Sequence, residues 1–284
     1  MNVPIAPNLD ALESVSLRRE QLFKEQQQSI IRHTDRLCSW LMIFQWLFAI
    51  GLAFWLSPRT WSGANSQIHP HIWEAIFLGG LITAFPVYLA RVQPGKTLTR
   101  HVIALGQMLM SALLIDLTGG RIETHFHVFG SLAILSFYRD WRVLVTATVV
   151  VAADHLIQGV FWPQTIFGVY YVPLWRPLEH AGWVLFEVTF LIIAIQKSVS
   201  EMRLVAERQA KLEALNESIE RTVAERTVEL SLENRKSREL QALYRSLVEQ
   251  LPAGIFRKDA GGRYEFVNSW FCRIRNKAPS QIIG

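Results

Sequence analysis

The chain has 284 residues, of which 50% are hydrophobic and ten are tryptophan, and its formal net charge is +5 at pH 7. The apolar residues cluster in long runs, which excludes an ordinary soluble domain and predicts a membrane protein. Cys38 and Cys272 are far apart in sequence, so they predict neither a disulfide framework nor a CxxC metal site. The excess of Lys and Arg lies beside the apolar runs, a pattern that sets membrane topology and predicts no nucleic-acid partner.

The first 36 residues are polar and, from Leu9 onward, favour a helix, which predicts a cytoplasmic lead-in helix over residues 1–36. Six apolar segments follow and predict a six-helix transmembrane domain over residues 37–196. Their bounds are 37–57, 72–90, 100–117, 124–138, 143–162 and 179–196. A helix needs about 20 residues to cross about 30 Å of hydrocarbon, so the fourth segment is short.

The orientation follows from the positive charges, which accumulate in cytoplasmic loops. With the N-terminus inside, the inner connections carry Arg91, Lys96, Arg100, Arg139 and Arg142. The outer connections carry Arg59, Arg121 and Arg176. We therefore expect both termini in the cytoplasm and the turn at residues 119–123 on the outer side.

Residues 197–243 are charged and contain neither Pro nor Gly, so they predict one continuous helix. Its apolar positions fit two heptad frames that are displaced by four residues, the spacing of a stutter. The first frame holds Val205, Leu212, Leu215 and Ile219, and the second holds Leu230, Leu240, Tyr244, Leu247 and Leu251. The pattern predicts a signalling coiled coil and a homodimer through residues 197–251. A solvated single helix is the alternative.

The last stretch, residues 244–284, begins YRSLVEQLPAGIFRKDAGGRYEFVNSWF. Turn glycines separate two short alternating runs, which predict strands over 254–258 and 263–267, and Asn268 is placed to cap a following helix. These features resemble the start of a PAS domain. A PAS fold needs about 100 residues, so the resemblance implies a longer protein of which this sequence is a fragment.

The order of a multi-helix membrane domain, a charged coil and a PAS segment resembles bacterial membrane sensors, above all sensor histidine kinases. The coil residues ERTVEL at 225–230 and the motif GGRIETHFHVFG at 119–130 are similar to segments of such kinases. The resemblance implies a location in the bacterial inner (cytoplasmic) membrane, a two-component pathway and a downstream response regulator. It leaves open the output of a diguanylate cyclase or a chemoreceptor.

Four histidines belong to the predicted outer halves of the last three spans: His125, His127, His155 and His180. Residues two apart on a helix point about 200° apart, so His125 and His127 cannot ligate one ion from a regular helix. We expect His127 to point inward and to meet His155 and His180. Asp154 is costly in hydrocarbon and therefore demands a partner.

This grouping predicts a metal site of His127, His155, His180 and Asp154, with His125 as the alternative histidine. Two facing imidazoles would hold haem b, whereas three with a carboxylate or water would hold copper, zinc or iron. Asp154, Asp116, Glu123, Glu179 or Glu187 could orient a ligating imidazole through its second ring nitrogen. Two other interpretations stay open, namely a proton relay through Asp154 and His155, and histidines that only form hydrogen bonds between helices.

These observations predict an all-α polytopic membrane domain of six helices, a coiled coil and the start of an α+β PAS domain. The predicted function is the input portion of a membrane sensor, most specifically of a histidine kinase. No kinase, cyclase or phosphoacceptor motif lies within the sequence. A transporter or a membrane enzyme is the competing class, and a continuation into a signalling coil argues against it.

Overall fold

The computed structural model describes residues 9–169, 173 and 175–284, which form two compact units divided between Lys211 and Leu212. The first unit is helical apart from one hairpin. Its elements are α1 (Leu9–Leu56), β1 (Arg59–Ser62), β2 (Asn65–Ile68), α2 (Pro70–Trp73), a π-helical turn (Glu74–Leu78), α3 (Gly79–Val92), α4 (Thr97–Leu117), α5 (Ile122–Leu135), a 3-10 turn (Ser136–Tyr138), α6 (Trp141–Phe161) and α7 (Pro163–Phe167). Helix α8 (Trp175–Gln250) begins in the first unit and ends in the second.

The predicted lead-in helix and the first predicted span form the single helix α1. The change from polar to apolar residues near position 37 alters the surface of this helix and not its backbone, because no proline lies between Leu9 and Leu56. The helix ends two residues before Pro58, in keeping with the restriction that proline places on the residue before it.

Five helices are long and apolar enough to cross a membrane, by length and composition, within the described residues. They lie in the segments Leu12–Leu56, Pro70–Val92, Thr97–Leu117, Trp141–Phe161 and Leu178–Gln250. The fourth predicted span corresponds to α5, which has 14 residues and so is about 21 Å long. These apolar helices make the chain a membrane protein, whereas a count of six spans stays a prediction.

Helix α5 and its 3-10 turn together nevertheless connect opposite ends of the neighbouring helices. Arg100, near the start of α4, forms an ion pair of 3.0 Å with Asp140, which caps the start of α6. The turn at Gly120, just after α4, lies against the backbone of Ile166 in α7, just after α6. Helices α4 and α6 are therefore parallel, and α5 with its 3-10 turn must return from one end of this pair to the other.

The turn between α4 and α5 depends on two glycines in left-handed backbone conformations. Gly119 has φ +68° and open space around its Cα, whereas a Cβ on Gly120 (φ +74°) would lie 2.5 Å from the carbonyl oxygen of Ile166. Gly119→Ala should cost about 1 kcal/mol of left-handed strain. Gly120→Ala should cost about 1 to 3 kcal/mol more, because the backbone of α7 must move.

Thermal unfolding of the detergent-solubilised chain tests this matched pair. We expect a clearly lower midpoint for Gly120→Ala than for Gly119→Ala. Equal midpoints would show that α7 does not pack tightly against the turn.

Two apolar clusters surround α4, which contacts α1, α3, α5 and α6. The first cluster joins α4, α5, α6 and α8, with Leu132, Leu144 and Val188 among its buried members. The second joins α1, α2, the π turn and α4, and it includes Ala49 and Leu113. The core thus fixes α5, α6 and α8 side by side, which positions the site described below.

The second unit contains the end of α8, β3 (Phe256–Lys258), β4 (Tyr264–Val267), α9 (Ser269–Arg275) and a 3-10 turn (Pro279–Gln281). The two strands pair antiparallel and agree with the predicted hairpin. Asn268 caps α9 as predicted, because its side-chain oxygen accepts the N–H of Phe271. The same buried side chain donates to the carbonyls of Val248 and Ala253, so it also ties α9 to the residues that precede the sheet.

Candidate ligand-binding site

Three of the four predicted histidines meet between α5, α6 and α8. The ring of His125, in the first turns of α5, has its centroid 5.7 Å from that of His155 in α6. The His125 and His180 centroids are 5.6 Å apart, and those of His155 and His180 are 6.5 Å apart. We call His125, His155 and His180 the three-histidine cluster.

Backbone hydrogen bonds orient two rings of this cluster. Nδ1 of His125 lies 2.9 Å from the carbonyl oxygen of Arg121, and Nδ1 of His155 lies 3.1 Å from that of Val151. Since a carbonyl only accepts, both imidazoles carry their proton on Nδ1 and leave Nε2 with a lone pair. Nε2 of His125 is buried and has no hydrogen-bond partner among the described residues. This is the arrangement of a ligating histidine, in which the second nitrogen sets the tautomer.

Asp154 lies beside His155 on α6. Its Oδ2 lies 3.4 Å from Nδ1 of His155, and its Oδ1 accepts a 2.6 Å hydrogen bond from Gln158. Gln158 is held in turn by the hydroxyl of Thr165. Asp154 is not among the described residues that line the adjoining cavity. Its Oδ2 is buried and forms no hydrogen bond among the described residues, and its predicted role as a direct metal ligand stays a prediction.

A cavity of about 950 Å³ opens beside the three rings. Its walls are mainly apolar, from α5, α6 and α8, and include Phe126, Leu156 and Val184. Glu187 also lines it, and one carboxylate oxygen of Glu187 is buried without a hydrogen-bond partner among the described residues. A mainly apolar cavity with a few convergent polar groups is typical of a cofactor or small-molecule site.

His127 does not join the cluster. Its Nε2 lies 2.9 Å from the amide nitrogen of Gln45 in α1, and its Nδ1 lies 2.8 Å from the hydroxyl of Ser111 in α4. Both ring nitrogens are occupied, so the predicted grouping of His127 with His155 and His180 is corrected: His125 takes that place. The helix argument that the two motif histidines point apart holds, but the burial of α5 on several sides made its inward face ambiguous.

The polar partners of His127 were not singled out from the sequence. Gln45 also donates to Oε1 of Gln107 over 3.1 Å, and Ser131 donates to the same oxygen over 3.2 Å. Gln45 and Gln107 are large amides inside apolar segments, which is a signal that a sequence alone offers. Because such groups are costly without partners, they mark the helix faces that pack together.

The spacing of the three-histidine cluster bears on whether it could hold a bare metal ion or a planar cofactor. Among the described residues, one group of three potential metal ligands has ligand atoms that all lie within 4.8 Å of one another, namely His71, Glu74 and Asp116. The three-histidine cluster does not meet this distance. The wider spacing of the three imidazole rings and the large cavity beside them would suit a planar cofactor held by one or two imidazoles better than a bare metal ion held by three imidazoles. Side-chain rotation would be needed for the bare ion.

Comparison with known proteins gives partial matches. Residues 242–274 match the family described as PAS domain. The chain is 29% identical over 123 residues to a curated protein, transducer protein Htr8 from Halobacterium salinarum, and the match covers 43% of this chain. It covers 19% of that protein, so the chain spans only a minor part of the length of this relative. No solved structure matches the chain. The apolar helices and the PAS match together describe a membrane protein with a PAS segment, and they do not distinguish a histidine kinase from other outputs.

Proposed function

We propose that the chain is the input portion of a membrane-bound signal-transduction protein. The PAS match at residues 242–274 and the similarity to a protein named a transducer support a PAS-containing sensor. Long apolar helices support the membrane location. The inner membrane of a bacterium, with both termini in the cytoplasm, is the location that the charge pattern favours.

The cavity beside the three-histidine cluster is the proposed sensory site. The observation that carries this proposal is the buried Nε2 of His125, which has no hydrogen-bond partner among the described residues. The ring of His125 lies within 5.7 Å of two further imidazole rings, beside a space of about 950 Å³. Haem b is the favoured occupant, and copper, iron or zinc is the alternative. His125 and His155 would ligate the iron or metal, and His180 would complete or replace one of them. Bound haem would supply a gas-binding or redox-active iron.

The protein's own residues give this site its character. Phe126, Leu156 and Val184 give the cavity apolar walls, against which a planar apolar group would pack. Asp154, held by a hydrogen bond from Gln158, places a carboxylate oxygen 3.4 Å from Nδ1 of His155, where it adds negative charge beside the ring. Glu187 places a carboxyl group on the wall of the cavity, where it can accept or hold a proton beside a bound group.

Helix α8 is the proposed route of the signal. It carries His180 near its start, and its bounds, Trp175–Gln250, reach the residues just before the PAS segment. A ligand can bias the output only through different affinities for two helix arrangements. A change in the position of His180 would be carried along this helix to the coil, where the break in heptad register is the proposed switching element.

Exposed apolar side chains along α8 support a homodimer through residues 197–251. Leu212, Ile219 and Leu230 expose 60%, 51% and 64% of their surface in the single chain. Leucines that recur at heptad spacing are usually covered by a partner helix. We propose a second copy of this chain as that partner.

A histidine kinase that signals to a response regulator is the proposed output, with a diguanylate cyclase or a chemoreceptor as the alternative. The full-length protein should transfer the γ-phosphate of labelled ATP to one of its own histidines. A protein that instead makes cyclic di-GMP, or that has neither activity, contradicts the kinase assignment.

Proton sensing without a cofactor is a second candidate. The 3.4 Å approach of Asp154 to His155 favours it, because a carboxylate and an imidazole can exchange a proton near neutral pH. In this case Asp154 and His155 would form the proton relay, and the cavity would hold lipid or water.

Purification of the chain in detergent, without chelators, separates the two candidates. We expect a haem absorption band, or a transition metal in a fixed ratio to protein, together with spectral changes on reduction. Protein that has neither a haem band nor a stoichiometric metal contradicts the cofactor proposal and favours proton sensing.

A further inference from the structure

We infer that His71, Glu74 and Asp116 form a second site, for a divalent transition-metal ion, that is separate from the three-histidine cluster. One imidazole nitrogen and one oxygen from each carboxylate lie within 4.8 Å of one another, and all three residues are partly buried. These residues lie outside the cavity of the proposed sensory site, whose walls come from α5, α6 and α8.

Two packed elements bring these side chains together. His71 belongs to α2, and Glu74 opens the π turn three residues later, so both lie on one side of the helix. Asp116 is the penultimate residue of α4. Ile72 and Leu117, each adjacent in sequence to one of these ligands, are both buried in the same apolar cluster. The apolar packing therefore holds the polar groups at one place.

Among the described residues, none of the three side chains forms a hydrogen bond or an ion pair with a residue outside the group. Among the described residues, neither carboxylate forms an ion pair with Lys or Arg, and Nδ1 of His71 is buried without a hydrogen-bond partner. Two carboxylates at this distance repel each other, and a buried imidazole nitrogen without a partner is costly. One divalent cation would remove both costs, because each group would become its ligand.

The backbone around the site is held without help from an ion. Nδ1 of His69 accepts the N–H of His71 over 3.2 Å, and the two rings are in contact at 4.3 Å. The indole N–H of Trp46 donates to the carbonyls of Ala75 and Ile76 in the π turn, over 3.1 and 3.2 Å. The ligand-bearing segment is thus already in place, and binding would require only side-chain rotation.

The ligand set indicates the class of ion. One imidazole and two carboxylates suit zinc and related transition ions, whereas magnesium and calcium prefer oxygen ligands alone. Ligand atoms at about 2 Å from one zinc ion lie about 3.3 Å apart. A contraction of the observed group by side-chain rotation would reach that distance and leave room for a water molecule.

Calorimetric titration with Zn²⁺ tests the proposal on the complete chain in detergent, after removal of bound metal with a chelator. We expect one tight site. Glu74→Gln and Asp116→Asn should each weaken it by at least about tenfold, since even loss of an outer partner of a ligand has an effect of that order. Zn²⁺ should raise the midpoint of thermal unfolding in the unchanged chain and not in these variants.

Two controls make the result specific. Glu123→Gln removes an exposed carboxylate from the first turn of α5, and His155→Ala damages the three-histidine cluster. Neither should change the affinity of the proposed site for Zn²⁺. A result that contradicts the second metal site would therefore leave the sensory proposal unaffected. A result that contradicts the sensory proposal would likewise leave the second metal site unaffected.

Three results would overturn the inference. They are absence of Zn²⁺ binding by the folded chain, equal binding by the chain with Glu74→Gln and Asp116→Asn combined, and loss of the tight site in His155→Ala. Equal affinity for Mg²⁺ would contradict a transition-metal site.

Discussion

His125→Gln is expected to abolish binding of the proposed haem or metal ion by the purified chain, whereas His127→Gln should preserve it. Nε2 of His125 is buried without a hydrogen-bond partner among the described residues, and the ring lies close to those of His155 and His180. Its Nδ1 is held by the carbonyl of Arg121. Both nitrogens of His127 are already bound, to Gln45 and Ser111. The loss of a direct ligand should exceed the roughly 10- to 100-fold effect that is typical of an outer partner.

The measurement is the ratio of haem or metal to protein, read from absorption and elemental analysis of both variants. The two substitutions are of the same type and lie two residues apart, on different faces of α5, so they control for general effects on that helix. His127→Gln should also lower thermal stability, since a shorter amide cannot satisfy both Gln45 and Ser111. Loss of the bound haem or metal in His127→Gln, but not in His125→Gln, would instead support the predicted grouping of His127 with His155 and His180.

Asp35→Ala is expected to be the most destabilising single substitution outside the candidate sites. Asp35 is completely buried, and its carboxylate accepts the N–H of Gly95 over 2.6 Å and the hydroxyl of Tyr138 over 2.8 Å. It therefore joins α1, the connection between α3 and α4, and the 3-10 turn after α5. Its removal leaves two buried donors unsatisfied, at about 1 to 3 kcal/mol each, or about 2 to 6 kcal/mol in total.

Thermal unfolding in detergent measures this effect, with Glu20→Ala as the control. Glu20 lies on the same helix but is exposed, and its ion pair with Lys24 spans 3.5 Å, so its loss should have little effect. The unfolding midpoint of Tyr138→Phe should lie between those of the two variants, because Asp35 keeps its hydrogen bond to Gly95. If Asp35→Ala unfolds at the same temperature as Glu20→Ala, the carboxylate does not hold these elements together.

Patterns that act over short stretches of sequence were sufficient for much of this protein. Long apolar runs predicted the membrane helices, and the absence of Pro and Gly predicted the continuous helix that α8 contains. Turn glycines and Asn268 predicted the hairpin and the cap of α9, because turns and caps use local hydrogen bonds. Helix geometry alone also predicted that His125 and His127 point apart.

The sequence by itself thus determined the helices, the PAS-like hairpin and the set of histidines from which a site can be built. Only the tertiary structure decided that His125, and not His127, meets His155 and His180. It also decided that His71 and Glu74 meet Asp116, which follows them by about 40 positions in the chain. The reason is physical: periodicity states which residues share one helix face, whereas the rotation of each helix depends on packing with several neighbours at once. The sides of α5 that carry His125 and His127 are both covered by other helices. Polar groups such as Gln45 on α1 therefore decide which histidine stays available to a ligand.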